Sequence, residues 1–376
     1  MVRRRDVLRL VGGGSVVAAT SGCAVLSGPS EAARAPWRRA GGYSEFRRRA
    51  LSYAILAPNP HNRQPWLVRL DGSDAMALHV DLDRRLPATD PFDRQVTIGC
   101  GAFLEVLSLA AARDGYRVEI REFPEGEDPL TLDRRPVAHV RFTDGGAAVD
   151  PLFGHVLARR TNKEVFEPRD VAEGDLARLA AAGQVHGVSA AAIGNTDLAG
   201  KLRDLTWRAH VREATTPRAL QESIDLMRIG SAEVEANPDG IRLEGAMIEF
   251  GRIFGLISRA ALADPDSSAF RQGMDKYRGM AMSARAFGWL ANAGRTRKDQ
   301  LDAGRAYVRL NLEATRLGLA IHPWSQALQE YPEMEDIARE AQELVGAPGR
   351  LQMLFRIGHA RQVMAAPRRG LEAHLA

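Results

Sequence analysis

GAFLEVLSLAAARDG, residues 101–115, can be laid without a gap on GRAYVRLNLEATRLG, residues 304–318. Gly101/Gly304, Leu107/Leu310, Leu109/Leu312, Ala111/Ala314, Arg113/Arg316 and Gly115/Gly318 are identical pairs at a constant offset of 203 residues. Both stretches have helical apolar spacing, and a strand-like run follows each. Apolar helices can match by composition alone, but the glycines matched at both ends argue for duplication. The pairing predicts a chain made of two related halves.

Working outward, the first half is expected over 43–150. Phe46, Ala50, Tyr53, Ala54 and Leu56 have near-helical spacing, and Pro58 stops the run. A turn-rich stretch at 58–65 leads into strands at 66–70 and 75–80, joined by Asp71-Gly72, a hairpin signal. A nearly all-apolar helix at 98–113 is closed by Asp114-Gly115 as a cap, and strands at 117–123 and 138–142 follow. The second half, 151–376, ends with a buried strand at 351–357 and carries a long helical insertion at about 202–290. The expected fold class is α+β, with a mixed, largely antiparallel sheet in each half and helices around it.

The N-terminus has a different character. Residues 1–28 read as a targeting segment: Arg3-Arg4-Arg5 precedes a weakly apolar stretch from Val11 to Val25. Arg4-Arg5-Asp6-Val7-Leu8-Arg9 resembles the twin-arginine pattern, which implies hand-over to that export machinery after folding and a periplasmic or envelope location. Thr20-Ser21-Gly22-Cys23 is a marginal lipobox, making Cys23 a candidate lipid anchor. The stretch is too short to span a bilayer, and no later segment is expected to do so. Residues 29–42 read as a linker.

Composition excludes several functions. The formal net charge is +4, but residues 1–50 hold ten Arg against three acids, so the remaining chain sums to −3 and has no electrostatic case for nucleic acid. Two cysteines, Cys23 and Cys100, with no CxxC or Cys/His cluster, give no support for zinc or iron–sulfur sites. There is no HExxH and no GxSxG, and Gly99-x-Gly101 lacks the third glycine of a dinucleotide fingerprint.

Two segments can carry chemistry. In APNPHNRQPW, residues 57–66, the prolines stiffen the turn, and Asn62 and Gln64 offer amide groups suited to the polar edge of a heteroaromatic ring. The same residues also suit an ordinary helix-to-strand loop with Trp66 in the core. In RRTNKEVF, residues 159–166, two guanidiniums, a hydroxyl and an ammonium fall within five positions and could clamp a phosphate, or form a solvated basic run. Arg368-Arg369 after the last strand is a third basic pair, or a polar tail.

Together these segments resemble the nitroreductase family of FMN proteins, and most of all its Acg-type branch, in which two nitroreductase-like units share one chain. The resemblance rests on the 57–66 loop, the Gly99-Cys100-Gly101-Ala102 helix start, Arg159-Arg160-Thr161-Asn162 and the Pro367-Arg368-Arg369 ending. It implies a duplicated fold with FMN between the halves, phosphate contacts from Arg159, Thr161, Lys163 and Arg369, and ring contacts from Pro58, Asn59 and Asn62. Arg160, Gln64 and Arg368 complete the implied cofactor-binding set. Residues 180–187 lack the loop motif and Arg38-Arg39 make a poor second clamp, so one intact and one degenerate site are expected. Asn59 replaces the family's Ser, and Pro60 has no N–H, which implies fewer contacts from this loop. The implied activity is two-electron reduction of a small-molecule acceptor, nitroaromatic- or quinone-like, at the flavin N5, with no protein general acid assigned. The alternative is a non-catalytic flavin-binding protein, with the insertion as a lid.

Overall fold

The computed structural model describes residues 28–292, 294 and 296–376; the twin-arginine pattern and Cys23 lie outside the described residues. In the first half, helix α1 (Phe46–Ala54) leads through the 57–65 loop to strands β1 (Trp66–Asp71) and β2 (Ala75–Val80). Helix α2 (Arg94–Arg113) and strands β3 (Tyr116–Glu122) and β4 (Ala138–Asp144) complete it. In the second half, helix α3 (Glu173–Gly183) and strand β5 (Ser189–Ile193) precede an insertion that ends at strand β8 (Ala286–Asn292). Helix α10 (Arg297–Arg316), strand β9 (Ala320–Pro323), helix α11 (Glu335–Val345) and strand β10 (Arg350–Gly358) follow.

The duplication is visible in the strand order. One sheet runs β1-β2-β4-β3 and the other β5-β8-β10-β9, so equivalent strands hold equivalent places. Every pairing between the strands of each sheet is antiparallel, and the C-terminal bridge of Leu375 to Val68 on β1 is parallel, so the first sheet is mixed and largely antiparallel, as expected. The insertion occupies the position of the short β1–β2 turn. Helix α4 (Asp197–Thr215) opens it and β8 begins at Ala286, so it covers 194–285 rather than 202–290: Leu202 lies inside α4 and Leu290 inside β8. Its other elements are α5 (Pro217–Asp225), a parallel ribbon of β6 (Met227–Ile229) and β7 (Ile241–Leu243), α6 (Ser231–Ala236), α7 (Ala246–Ile253), α8 (Arg259–Ala263) and α9 (Ser268–Met282).

The two repeat helices meet at the matched glycines. A Cβ on Gly101 would lie 2.0 Å from the Leu301 carbonyl oxygen, and one on Gly304 would lie 1.9 Å from that of Ile98. Ile98 and Leu301 are themselves 203 residues apart, so one contact is made twice by an approximate two-fold axis. No side chain fits at such a backbone approach. Arg94 and Arg297, also 203 apart, cross between the halves and are fully buried. Arg94 donates to the carbonyls of Leu328 and Gln352 at 2.6 Å; Arg297 donates to those of Phe92 at 2.7 Å and Asp128 at 3.1 Å. Each core also borrows from the other half: Leu301, Val308 and Leu312 complete the first, and Ile98 the second. Gly115 and Gly318, at φ +87° and +70°, close the helices in the left-handed region.

By length and mean hydropathy (1.5) α2 matches a membrane-spanning helix, contrary to expectation, but it is packed in the protein core. It is largely apolar because α1 and the first sheet cover one side and α10 the other. The 29–42 segment is docked rather than a free linker: Trp37 is buried and donates from its indole to the Ala366 carbonyl at 2.8 Å. After Gly358 the chain returns to the first half, where Leu375 bridges Val68 and the Ala376 amide reaches its carbonyl at 2.9 Å.

Candidate functional site

A cavity of about 270 Å3 lies between the halves and is closed on one side by the insertion. The loop gives Pro58, Asn59, Pro60 and His61, and α2 gives Gln95, Ile98, Gly99 and Ala102. The crossover between halves gives Thr161 and Lys163; the second half gives Tyr307, His322 and Gln352. The insertion adds His210 and Glu213 from α4 and apolar side chains including Ile224, Phe270, Met274 and Tyr277. Gly99 lets the loop close on α2, since a Cβ there would already touch Asn59 and Pro60 at 3.3 Å.

Three residues of the loop, His61, Asn62 and Gln64, have φ of +46°, +53° and +51°. Non-glycine residues adopt this region only when their surroundings compel it. Here the Asn59 side-chain oxygen accepts from the Gln64 amide at 2.7 Å, and Gln64 Nε2 donates to the Pro238 carbonyl at 2.9 Å. Gln64 Oε1 accepts from the Arg369 amide at 2.8 Å. Asn62 Oδ1 accepts from Arg368 at 2.5 Å, while its Nδ2 donates to the Pro367 carbonyl at 3.1 Å. Arg368 also donates to the carbonyls of Ile55, Leu56 and Ala57.

The expected site residues therefore fall into three groups. Pro58, Asn59, Thr161 and Lys163 line the cavity. Asn62, Gln64, Arg368 and Arg369 come together, but as a clamp between loop and C-terminal tail rather than on the cavity wall. Arg159 and Arg160 lie behind the loop. Arg159 donates to the Leu56 carbonyl at 3.1 Å; the guanidiniums of Arg160 and Arg368 stand 4.8 and 5.5 Å from the Trp37 ring.

No carboxylate among the described residues pairs with Arg159, Arg160 or Arg368. One buried nitrogen on each of Arg159, Arg160 and Arg369 has no hydrogen-bond partner among them. Burial lowers the Arg159 pKa to about 10. It lowers that of Arg368 to about 9, aided by the charges of Arg159 and Arg160. Buried cations with free donors are costly unless an anion meets them. The residues present thus fit a ligand with an anionic end.

The cavity wall is electrostatically one-sided. Burial, reinforced by the positive charge of Lys163, holds the His61 and His210 imidazoles down to about 4. His322 is lowered by burial and by Arg356, so all three are neutral at pH 7. Burial pushes the Glu213 carboxyl up to about 7, although Gln329 donates to it at 2.6 Å. His210 stacks on Tyr277 with ring centroids 4.0 Å apart. Arg356 of β10 holds the crossover by donating to the carbonyls of Asn162 and Glu164, and stacks on Phe166 at 3.9 Å. The sequence reading missed His61, His210, Glu213, Tyr307, His322 and Arg356 as site residues. Only His210 and Glu213 carried a usable signal, lying one helical turn apart and so on one face; the others converge from separate elements.

No protein-family model matches the chain. It is similar to "Putative NAD(P)H nitroreductase Rv3131" of Mycobacterium tuberculosis, 29% identical over 329 residues, covering 84% of this chain and 86% of that protein. "Putative NAD(P)H nitroreductase acg" of the same organism is 37% identical over 123 residues, 32% of this chain and 36% of that protein. Among solved structures, the FMN-dependent nitroreductase NfnB from Mycobacterium smegmatis in complex with NADPH aligns at 22% identity and a TM-score of 0.35, covering 57% of this chain and 92% of that one.

Proposed function

We propose that this chain is an FMN-dependent oxidoreductase of nitroreductase type, exported by the twin-arginine route to the periplasm or envelope, that reduces nitroaromatic- or quinone-like acceptors. The observation that carries it is the group of carboxylate-free guanidiniums at buried Arg159 and Arg368 and half-buried Arg160, set behind a cavity lined by Pro58, Asn59, Thr161 and Lys163. FMN bound there would supply two-electron redox chemistry, as flavins do independently of the protein scaffold.

The protein's own part is binding, orientation and exclusion of water. Thr161 and Lys163 meet the anionic end, and Arg159 and Arg160 add positive potential from behind. Pro58 and Asn59, which border the cavity, would meet a flat ring. The neutral imidazoles of His61 and His210 offer hydrogen bonds without adding charge. The apolar insertion wall, with Phe270, Met274 and Tyr277, suits an aromatic acceptor. Outside the cytoplasm NAD(P)H is not expected, so a membrane quinol or another protein serves as donor.

The insertion also favours a second reading, a flavin-sequestering protein without turnover, because α4, α5 and α9 form one wall of the cavity. Purified protein with the blue absorbance band of flavin supports both readings, and colourless protein rejects both. Anaerobic reduction with dithionite followed by a nitroaromatic separates them. Reoxidation supports the enzyme; a flavin that stays reduced overturns it.

A further inference from the structure

Single exposed apolar side chains are ordinary on a protein surface, as at Leu130 and Val149. The insertion presents a cluster. Met247, Ile253, Phe254 and Leu256 are 66, 53, 63 and 55% exposed and fall within ten consecutive positions on α7 and the turn after it. Phe250 packs on Phe254 with ring centroids 4.4 Å apart, widening the patch. The turn that displays these side chains is fixed. The amides of Leu256 and Ile257 both donate to the Gly251 carbonyl, at 2.7 and 3.0 Å, and Gly255 has φ +67°. Ile257 tucks inward against Gly251, leaving Ile253, Phe254 and Leu256 on the outside.

A second observation says what covers the patch. The first described residues are tied to this part of the insertion. The Gly28 carbonyl accepts from Ser231 Oγ at 2.8 Å, and the Ser231 amide donates to Glu249, on α7 itself, at 2.6 Å. The Ser30 amide donates to Glu244 at 3.1 Å. Cys23 precedes Gly28 by five residues, which span at most about 17 Å when fully extended. A lipid on Cys23, or a retained apolar leader, would therefore keep α7 beside the bilayer. One acyl chain alone gives only marginal binding and needs a second element. Arg252 and Arg259, with 47 and 43% of their side chains exposed, flank the patch, each paired with a carboxylate, Glu249 at 3.1 Å and Glu233 at 2.6 Å.

We propose that α7 and the following turn rest on a lipid bilayer, with Met247, Phe250, Ile253, Phe254 and Leu256 entering the boundary between headgroups and acyl chains. The choice of a bilayer rests on the export reading of the leader; the patch itself does not.

The test uses the full chain and phosphatidylethanolamine–phosphatidylglycerol vesicles with brominated acyl chains, which quench tryptophan at short range. The fluorescence added by Phe254→Trp should be quenched at least twofold more than that added by Leu130→Trp, an exposed control in the first half. Phe254→Asp combined with Leu256→Asp should lower vesicle partitioning at least tenfold while the circular dichroism stays unchanged. Equal quenching at the two positions, or no vesicle binding, overturns the proposal. So does a dimer seen by light scattering that Phe254→Asp dissociates without any vesicle effect. Cys23→Ser distinguishes the two readings: unchanged binding with persistent quenching at position 254 removes the lipid anchor but keeps the surface.

Discussion

The same helix pair builds two places in this molecule, one on each side of its approximate two-fold axis, and they have opposite contents. On the α2 side, Gln95, Gly99 and Ala102 border the cavity, and the loop from 58 to 61 closes over Gly99. On the α10 side the residues 203 positions later are Lys298, Asp302 and Arg305. Lys298 pairs with Asp302 at 2.9 Å and with Glu122 at 3.4 Å. Arg305 and Arg309 both pair with Glu105, at 3.1 and 2.9 Å, and His186 approaches it to 3.6 Å. Glycine and alanine leave room for a ligand; aspartate and arginine fill the equivalent room with the protein's own charges. The connection from α3 to β5 is also shorter than the α1–β1 loop, and it brings His186 to the filled site. After duplication, one site can be lost by filling it, while the helix crossing that serves both halves is kept.

The strongest way to break the comparison is at the crossing. Gly101→Val and Gly304→Val should each prevent folding, or lower stability beyond the roughly 1–3 kcal/mol usual for overpacking, because the clash is with backbone. Thermal unfolding by circular dichroism checks this, and a near-native Tm for either variant would contradict the crossing geometry.

Moving a residue of the filled site into the open one is the next largest effect. Ala102→Arg, which places the filled site's residue 305 in the open one, should remove bound flavin, read as the ratio of flavin to protein absorbance at unchanged circular dichroism. Full flavin content in that variant would show that the cavity is not where the cofactor lies.

The two sites should also respond oppositely to pH. Burial would raise the Glu105 carboxyl, but hydrogen bonding from His186 and the charges of Arg305 and Arg309 prevail and hold it down to about 2. A depressed carboxyl contributes stability above its unfolded pKa, lost as pH falls through the folded value. Up to roughly 3 kcal/mol should vanish between about pH 4.5 and 2. Glu213 is shifted up to about 7 by burial, so its contribution falls as pH rises from about 4.5 through 7. Glu105→Gln should flatten the acid limb of a Tm–pH curve, and Glu213→Gln the limb between 4.5 and 7. The same sign of change in both limbs would sink the contrast.

The smallest effect is a sharpening one. Arg159→Ala should weaken flavin retention about tenfold, roughly 1.4 kcal/mol, because its guanidinium acts from behind the loop rather than on the cavity wall. Unchanged retention by dialysis would remove Arg159 from the anion site.

Much of this architecture was legible in the chain. The strands at 66–70, 75–80, 117–123, 138–142 and 351–357 sit within one or two residues of the observed ones, because alternation and turn residues are local signals. The 203-residue offset located the central helices, and the glycines at 101 and 304 mark a contact no other residue could make. Pro58, Asn59, Thr161 and Lys163 were readable as motif residues and do line the cavity.

Side-chain direction was not readable in this way. Asn62 and Gln64 turn to the tail because left-handed backbone at His61, Asn62 and Gln64 rotates them, and because Pro367, Arg368 and Arg369 return from 300 residues away to receive them. His210 and Glu213 reach the cavity only through the packing of the insertion against both halves. The sequence by itself determined the elements, their duplication and the two segments, 57–66 and 159–166, that supply cavity residues, since these depend on neighbours along the chain. The tertiary structure alone decided which polar groups face the cavity, which clamp the loop, and which of two equivalent sites stays open, since these depend on contacts between distant residues.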